Sequence, residues 1–282
     1  MLITAKQTSY RRLSVYCLLS LLSVVWGCTS PEARFFNKAK SYGFKQKIVQ
    51  GPVFKHVVYF NKKTRGSDVL HIYLDGDGSA WINKRWISAN PTPRNTLMLE
   101  LMQQDKKAAL YLGRPCYHGF SDDPPCSNKL WTSHRYSPSV VDALVVAIRE
   151  ILSEFNPKHI VLIGYSGGGA LAMLVAEHFS DINGIITIAA NLDINAWTDY
   201  HGYSRLTGSL NPIDRKKLDK KIFQLHLAGG KDLNIPANQI RSFVEKNQSS
   251  SFLFFKEYDH HCCWEQVWPS ILDSIQFHDR RM

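Results

Sequence analysis

Residues 159–176, HIVLIGYSGGGALAMLVA, join a short apolar run, a glycine-rich turn and a second apolar run. The run from His159 to Ile163 is continuous and β-branched, which is typical of a strand buried on both faces. Ala170 to Ala176 consists mostly of good helix formers. Between them Gly164-Tyr165-Ser166-Gly167-Gly168 places a G-x-S-x-G pattern at a strand-to-helix junction. Because a serine on such a turn is pushed out of the carboxyl edge of the sheet, we interpret Ser166 as a nucleophile.

The alternation of strands and helices extends over most of the chain. Further strand-like runs lie at residues 57–60, 69–74, 108–112, 184–189, 222–227 and 252–255, and helical spacing covers residues 139–155. This order predicts an α/β fold with a mostly parallel central sheet and helices on both faces. Residues 191–221 are too few for a large lid domain, so we expect only a small flap there.

A nucleophilic serine requires a base, and the base requires an orienting acid, in the chain order Ser, Asp or Glu, His. Two later segments contain candidates, 229–236 (GGKDLNIP) and 258–264 (YDHHCCW). Together with the serine turn they resemble the α/β-hydrolase superfamily over most of residues 50–280. Within that superfamily the chain is similar to a group of bacterial secreted and lipoprotein hydrolases.

The resemblance implies Asp232 as the acid and His260 as the base. Asp232 could instead only cap the helix that begins near Pro236. His261 remains the alternative base, because the two histidines are adjacent and either could reach the serine.

Acyl transfer also requires N–H donors for the developing oxyanion. The resemblance implies the backbone N–H groups of Gly167 and Asp77, the latter in the loop Asp75-Gly76-Asp77-Gly78. Carboxylates beside an oxyanion would oppose it unless they are paired. We expect Arg114 and Arg135 to pair them, in preference to binding an anionic substrate.

Neither candidate metal site in the sequence is convincing. A calcium loop at Asp75 to Gly78 would need a glycine where Ala80 stands and an acid to close it. A zinc site at residues 260–263 would use consecutive residues, whose side chains point apart. We therefore expect no metal and no organic cofactor.

The N-terminus resembles a bacterial lipoprotein signal, with simple secretion or a retained signal anchor as the alternatives. Lys6, Arg11 and Arg12 precede an apolar run at residues 13–26 that is too short to span a bilayer, and Gly27-Cys28 follows. We expect residues 1–27 to be a signal peptide, Cys28 to be lipidated, residues 28–48 to be a tether and residues 49–282 to be the hydrolase domain.

With Cys17 in the signal peptide and Cys28 lipidated, four cysteines remain for the expected mature fold, and the envelope is an oxidising compartment. We predict a disulfide between Cys116 and Cys126, which a short turn-rich segment separates. Cys262 and Cys263 would then form either a ring between adjacent residues or two buried thiols.

Composition narrows the function classes. The hydrophobic fraction of 44%, the charged fraction of 21% and the formal charge of +10 are those of a folded, basic protein. The cations are scattered and no DNA- or RNA-binding motif accompanies them, so we expect no nucleic-acid partner.

We expect a membrane-tethered serine hydrolase that cleaves an ester or thioester of a small or lipid-like acyl substrate, as a monomer. The alternatives are a peptidase or acyltransferase on the same residues, or a non-catalytic binding lipoprotein. The expected location is the bacterial envelope, facing the periplasm, on the outer rather than the inner membrane.

Overall fold

The computed structural model describes residues 29–63, 67–247 and 249–279. The predicted signal peptide and Cys28 lie outside these ranges. The strands are β1 Lys45–Gln50, β2 Lys55–Phe60, β3 Val69–Leu74, β4 Trp81–Ile82, β5 Trp86–Ile87, β6 Ala108–Leu112, β7 His159–Tyr165, β8 Ile182–Ile188, β9 Phe223–Gly229 and β10 Ser250–Phe255. The helices are α1 Pro31–Ser41, α2 Leu97–Gln103, α3 Pro138–Phe155, α4 Gly167–Ala176, α5 Ile194–His201, α6 Ala237–Lys246 and α7 Trp264–Asp279. Within the described ranges, no helix is both long enough and apolar enough to cross a bilayer.

Eight strands form one twisted sheet in the order β1-β2-β6-β3-β7-β8-β9-β10. The strands from β6 to β10 pair in parallel, and β1 and β2 form an antiparallel edge. The remaining strands, β4 and β5, form a separate antiparallel hairpin. Since parallel strands end at the same edge, the loops after β3, β7 and β9 meet there.

The sheet is buried on both faces. Along β7, Ile160 and Leu162 pack into a cluster with α3 and α4, whereas Val161 and Ile163 pack into a second cluster with α2 and α7. This explains the continuous apolar run of β7, because alternate side chains of a strand point to opposite faces.

Local signals set the ends of α3. The Ser137 hydroxyl accepts a hydrogen bond from the N–H of Val140, and Pro138 occupies the first turn. Asn156 ends the helix in the left-handed region with φ of 44°. The helix thereby returns the chain to the amino end of β7.

The predicted tether at residues 28–48 needs correction in its described part. Residues 31–41 form α1, in which Phe35 and Ala39 are buried, and residues 45–50 form the edge strand β1. The Phe35 ring packs 5.0 Å from that of Tyr111. The polar composition was misleading, because one buried aromatic side chain and backbone pairing at an edge suffice to dock these elements.

Candidate active site

Ser166 lies on the turn between β7 and α4, with φ of 52° and ψ of −121°. A serine in this region is strained, and such strain persists only where the surroundings hold it in place. The Ser166 N–H donates to the carbonyl of Ile188 at 2.9 Å. The hydroxyl faces a cleft at the carboxyl edge of the sheet.

Two glycines permit this turn. A Cβ at Gly164 would collide with the backbone of Gly168, and a Cβ at Gly168 would collide with the carbonyl of Leu74 on the neighbouring strand. The outer glycines of the G-x-S-x-G pattern are therefore required by the close approach of α4 to β3 and β7.

The structure brings Ser166, His260 and Asp232 together. His260 Nε2 lies 3.1 Å from Ser166 Oγ, and His260 Nδ1 lies 2.8 Å from Asp232 Oδ2. The three residues come from the loops after β7, β9 and β10, and all three are buried. This arrangement allows proton transfer from the hydroxyl to the imidazole, with the carboxylate holding Nδ1–H.

The backbone fixes the acid. Asp232 Oδ1 accepts hydrogen bonds from the N–H groups of Asn234 and Ile235, both at 2.8 Å, which leaves Oδ2 for His260. The Asn234 amide nitrogen lies 3.0 Å from His260 Nε2, beside the serine. Asp232 thus organises its own turn and orients the histidine.

Tyr165 supports the histidine loop. Its ring centroid is 5.1 Å from that of His260, and its hydroxyl donates to the His260 carbonyl at 3.0 Å. The indole N–H of Trp264 donates to the same carbonyl at 3.2 Å. Sequence reasoning missed these contacts, although Tyr165 occupies the variable position before the serine and Trp264 belongs to the quoted segment.

His261 points to another set of partners. Its Nδ1 lies 2.8 Å from the Tyr165 hydroxyl and 3.2 Å from the Asn95 amide nitrogen. Partial burial and the neighbouring His260 lower the pKa of His261 below its usual value. The structure therefore places His260, and not His261, against Ser166 and Asp232.

The loop after β3 forms the opposite wall of the cleft. The Asp77 carboxylate contacts Arg114 Nη1 at 2.6 Å and Arg135 Nη1 at 2.8 Å, and it accepts from the Tyr136 hydroxyl at 2.7 Å. Burial acts to raise the pKa of Asp77, but the two guanidinium groups outweigh it and hold the pKa at about 2. The expected pairing by Arg114 and Arg135 is thus present for Asp77.

The two expected oxyanion donors come from opposite sides of the cleft, Asp77 from this wall and Gly167 from the start of α4, directly after Ser166. None of the hydrogen bonds among the described residues uses the N–H of Asp77 or that of Gly167. The Gly76 carbonyl, in the same peptide group as the Asp77 N–H, accepts from Arg114 Nη1 at 3.3 Å, and the Asp77 carbonyl accepts from the Tyr117 hydroxyl at 3.0 Å, so the peptide groups on both sides of Asp77 are fixed. Because Arg114 and Arg135 both contact the Asp77 carboxylate, its negative charge is compensated beside Ser166.

Asp75 differs from Asp77. Its Oδ1 accepts from the Gly76 N–H at 2.8 Å, and its Oδ2 lies 3.3 Å from the Tyr111 hydroxyl. Burial raises the pKa of Asp75 to about 7, against these hydrogen bonds and the field of Arg114. Arg114 therefore neutralises only one of the two carboxylates directly.

The cleft holds a cavity of about 1020 Å³. Its lining includes Trp81, Lys84 and Arg94 on the side of the β3 loop, and Tyr203 and Arg205 on the side of α5. The segment between β8 and β9 contributes α5 and a 3-10 turn, in keeping with a small flap. Lysine and arginine side chains therefore line the open part of the cleft.

The four cysteines among the described residues are joined in two pairs, Cys116 with Cys126 and Cys262 with Cys263. The first bond has a Cα–Cα distance of 5.6 Å.

Within the described part of the chain, no group of three or more His, Cys, Asp or Glu side chains is placed to hold a metal ion.

The sheet order and the serine turn can be compared with known proteins. A sequence model described as the alpha/beta hydrolase fold matches residues 102–213, which include Ser166. The protein has the α/β-hydrolase fold. The fold class predicted from the sequence is confirmed, whereas the similarity to bacterial secreted and lipoprotein hydrolases stays a prediction.

Solved structures share this hydrolase fold at low sequence identity. An esterase of Pyrococcus furiosus is 15% identical, with a TM-score of 0.59 and coverage of 91% of this chain and 95% of its own. An α/β serine hydrolase without a lid from Xanthomonas campestris is 12% identical, with a TM-score of 0.53 and coverage of 84% and 94%. An esterase/lipase from an uncultured bacterium is 14% identical, with a TM-score of 0.55 and coverage of 90% and 93%. A search of curated protein sequences finds no match.

Proposed function

We propose that the protein is a serine hydrolase that cleaves an acyl ester or thioester through an acyl-enzyme. The observation that carries the proposal is the hydrogen-bonded series Ser166 Oγ, His260, Asp232 on a strained turn of a hydrolase fold. Solved structures with the same fold include proteins described as esterases, which supports ester cleavage over other acyl chemistry.

The reaction follows from the positions of these groups. His260 Nε2 takes the proton of Ser166 Oγ as the oxygen attacks the acyl carbon, and Asp232 stabilises the imidazolium. The N–H groups of Gly167 and Asp77 donate to the oxyanion. His260 then gives its proton to the leaving group, and water repeats the sequence to release the acid.

The cleft supports a substrate with an apolar acyl part. Trp81 and Tyr203 flank a cavity large enough for a drug-sized molecule, and Lys84 and Arg94 line its open side. A small or lipid-like acyl ester fits this combination of apolar walls and cationic rim.

We also propose that the protein is a monomer tethered through a lipidated Cys28 to the bacterial envelope, facing the periplasm, with the outer membrane preferred to the inner. The support is the order of cations, apolar run, Gly27 and Cys28 in the sequence. The first described helix begins at Pro31, so only Thr29 and Ser30 separate Cys28 from the folded domain.

A fluorophosphonate probe tests the nucleophile. We expect the probe to label Ser166, and Ser166→Ala to abolish labelling and p-nitrophenyl ester hydrolysis. Ser133→Ala is the matched control, because Ser133 also lines the cleft but contacts neither His260 nor Asp232. Full labelling of Ser166→Ala would overturn the proposal, and a labelled protein inactive on every ester would favour a peptidase or an acyltransferase.

Labelling with radioactive palmitate tests the anchor. The wild type should incorporate label, and Cys28→Ser should not. Cys17→Ser lies within the apolar run and serves as the control that keeps labelling. A mature protein with an unmodified N-terminus would contradict the proposed anchor.

A further inference from the structure

The β4–β5 hairpin, residues 81–87, is the most exposed apolar element of the described chain. Trp81, Ile82, Trp86 and Ile87 are all exposed, Trp86 by 63% of its surface. Trp81 lies opposite Ile87, and Ile82 lies opposite Trp86, so each face of the hairpin carries one tryptophan and one isoleucine. A two-stranded hairpin with two uncovered apolar faces is marginal in water and indicates a missing partner.

The hairpin is nevertheless well defined. Asn83 and Lys84 both have positive φ, as the central residues of a type I′ turn do, and the Arg85 N–H closes the turn on the Ile82 carbonyl at 3.1 Å. At its base, the Ser88 N–H donates to the Ala80 carbonyl at 2.9 Å, and the Trp131 indole donates to the Ser88 carbonyl at 3.0 Å. The base is therefore fixed to the domain while the tip projects.

The charged side chains on the hairpin segment itself all have one sign. Residues 79–99 contain Lys84, Arg85 and Arg94 and no Asp or Glu. All three cations are exposed, and the Arg85 guanidinium lies 5.3 Å from the Trp86 ring centre. Tryptophans at the headgroup level with basic side chains beside them are the composition of proteins that bind anionic bilayers.

The hairpin also lies at the mouth of the cleft. Trp81 and Lys84 line the cavity from one side, and the exposed side chains of Tyr203 and Leu233 lie on loops of the same sheet edge. A surface seated on the hairpin would therefore face the opening that leads to Ser166.

The start of α1 lies beside the β4–β5 hairpin. Glu32, in its first turn, accepts a hydrogen bond at 2.7 Å from the side chain of Asn90, three residues beyond β5. The chain that leads back to Cys28 therefore leaves the domain beside the hairpin. A lipid on Cys28 would hold this edge, and not the opposite one, close to a bilayer.

We propose that the β4–β5 hairpin is a membrane-docking tip that inserts its tryptophans into the headgroup region of an anionic phospholipid bilayer and seats the cleft on it. Each isoleucine would enter beside the tryptophan opposite it, and Lys84 and Arg85 would contact lipid phosphates. This deepens the proposed function, because it assigns the substrate to acyl lipids that enter the cleft from the membrane.

Brominated lipids test the insertion directly. Apart from Trp81 and Trp86, the described tryptophans, Trp131, Trp197, Trp264 and Trp268, are buried. We expect tryptophan emission of the protein from Thr29 onward, which carries neither Trp26 nor the proposed lipid anchor, to be quenched by vesicles of brominated phosphatidylcholine containing phosphatidylglycerol. Trp81→Phe/Trp86→Phe should remove that quenching, because phenylalanine keeps the apolar tip but not the indoles.

Charge reversal supplies a matched comparison. Lys84→Glu/Arg85→Glu keeps both indoles and should weaken the quenching interaction about 30-fold or more, since each basic side chain near an anionic surface contributes roughly a fivefold factor. The control is Lys216→Glu/Lys217→Glu, an exposed pair in the segment between α5 and β9, which should have little effect on the quenching.

Three outcomes would overturn the proposal: no quenching of the wild type, quenching that survives Trp81→Phe/Trp86→Phe, or a lipid-free dimer that Lys84→Glu/Arg85→Glu dissociates, which would make the hairpin an interface between two copies. Ser166→Ala should be quenched like the wild type. That result separates docking from catalysis, and a wild type that is quenched but hydrolyses no ester would count against the proposed chemistry alone.

Discussion

The two walls of the cleft are built by different means. On one wall, hydrogen bonds of about 3 Å join Ser166, His260 and Asp232, and the Ser166 hydroxyl faces the cleft. On the other wall, the Asp77 carboxylate is paired with the buried guanidinium groups of Arg114 and Arg135. The first wall presents side chains, and the second presents backbone.

This difference reflects what each wall would do in the proposed hydrolysis. In that reaction the histidine exchanges a proton, so its partners must be few and its nitrogen must reach the serine. The oxyanion donors have to be in place before charge develops, so the loop that carries Asp77 is fixed by ion pairs that titrate only at extreme pH. Four changes test whether the walls are separable.

The largest effect is expected on the proton-transferring wall. His260→Ala should lower kcat by about 10³ to 10⁶-fold, because the base is lost. His261→Ala should lower it far less, since His261 contacts Tyr165 and Asn95 instead. Ester hydrolysis by both purified variants decides the matter, and the opposite ranking would move the base to His261.

The second effect concerns the stability of the ion-paired wall. Arg114→Met should cost about 3 to 5 kcal/mol of unfolding free energy, since it leaves a buried carboxylate with one cation fewer and the carbonyls of Gly76 and Arg135 without a donor. Arg205→Met removes an exposed pair with Asp199 and should cost under about 1 kcal/mol. If urea unfolding showed equal losses of unfolding free energy for the two variants, the buried ion pairs would contribute no more to stability than the exposed pair.

The third effect concerns the disulfide behind the ion-paired wall. Cys116→Ser/Cys126→Ser should cost about 3 kcal/mol, because the bond closes a loop with a separation of 10 residues. Cys262→Ser/Cys263→Ser should cost much less, since adjacent cysteines close almost no loop in the unfolded chain. Thermal unfolding without reductant measures both, and a larger loss from the second pair would show that loop closure is not the cause.

The smallest effect depends on pH. The pKa of Asp75 is raised to about 7, so between about pH 4 and pH 7 the native state keeps a proton that the unfolded chain has released, and stability falls as pH rises. Asp75→Asn removes that loss. Its stability relative to the wild type should therefore increase by about 2 kcal/mol from pH 5 to pH 8.

Urea unfolding at the two pH values provides the measurement, with Asp199→Asn as an exposed control. A difference between wild type and Asp75→Asn that stays constant with pH would show that Asp75 is ionised throughout.

The elements that sequence reasoning missed share a physical cause. The start of α1 could be predicted from the sequence, because Ser30 is an N-cap residue, Pro31 a first-turn proline and Glu32 a first-turn acid. Nothing local, however, predicts that Phe35 is buried against Tyr111. The strand β1 has one buried side chain, Val49, and is held by backbone pairing at the sheet edge.

The hairpin at residues 81–87 was missed for a related reason. Its strands have two residues each, and its turn contains Lys84 in place of the glycine that usually marks such turns. Short elements carry too little periodicity to be distinguished from loops.

The sequence by itself determined the parts of the molecule whose physics is local. The serine turn follows from glycines that permit one close approach, and the parallel sheet follows from continuous apolar runs that alternate with helices. Tertiary structure decided which of two adjacent histidines meets Ser166, which carboxylate Arg114 and Arg135 neutralise, and which apolar side chains stay exposed at the cleft. Each of these depends on residues far apart in the chain that only packing brings together, and burial then sets their charge and reach.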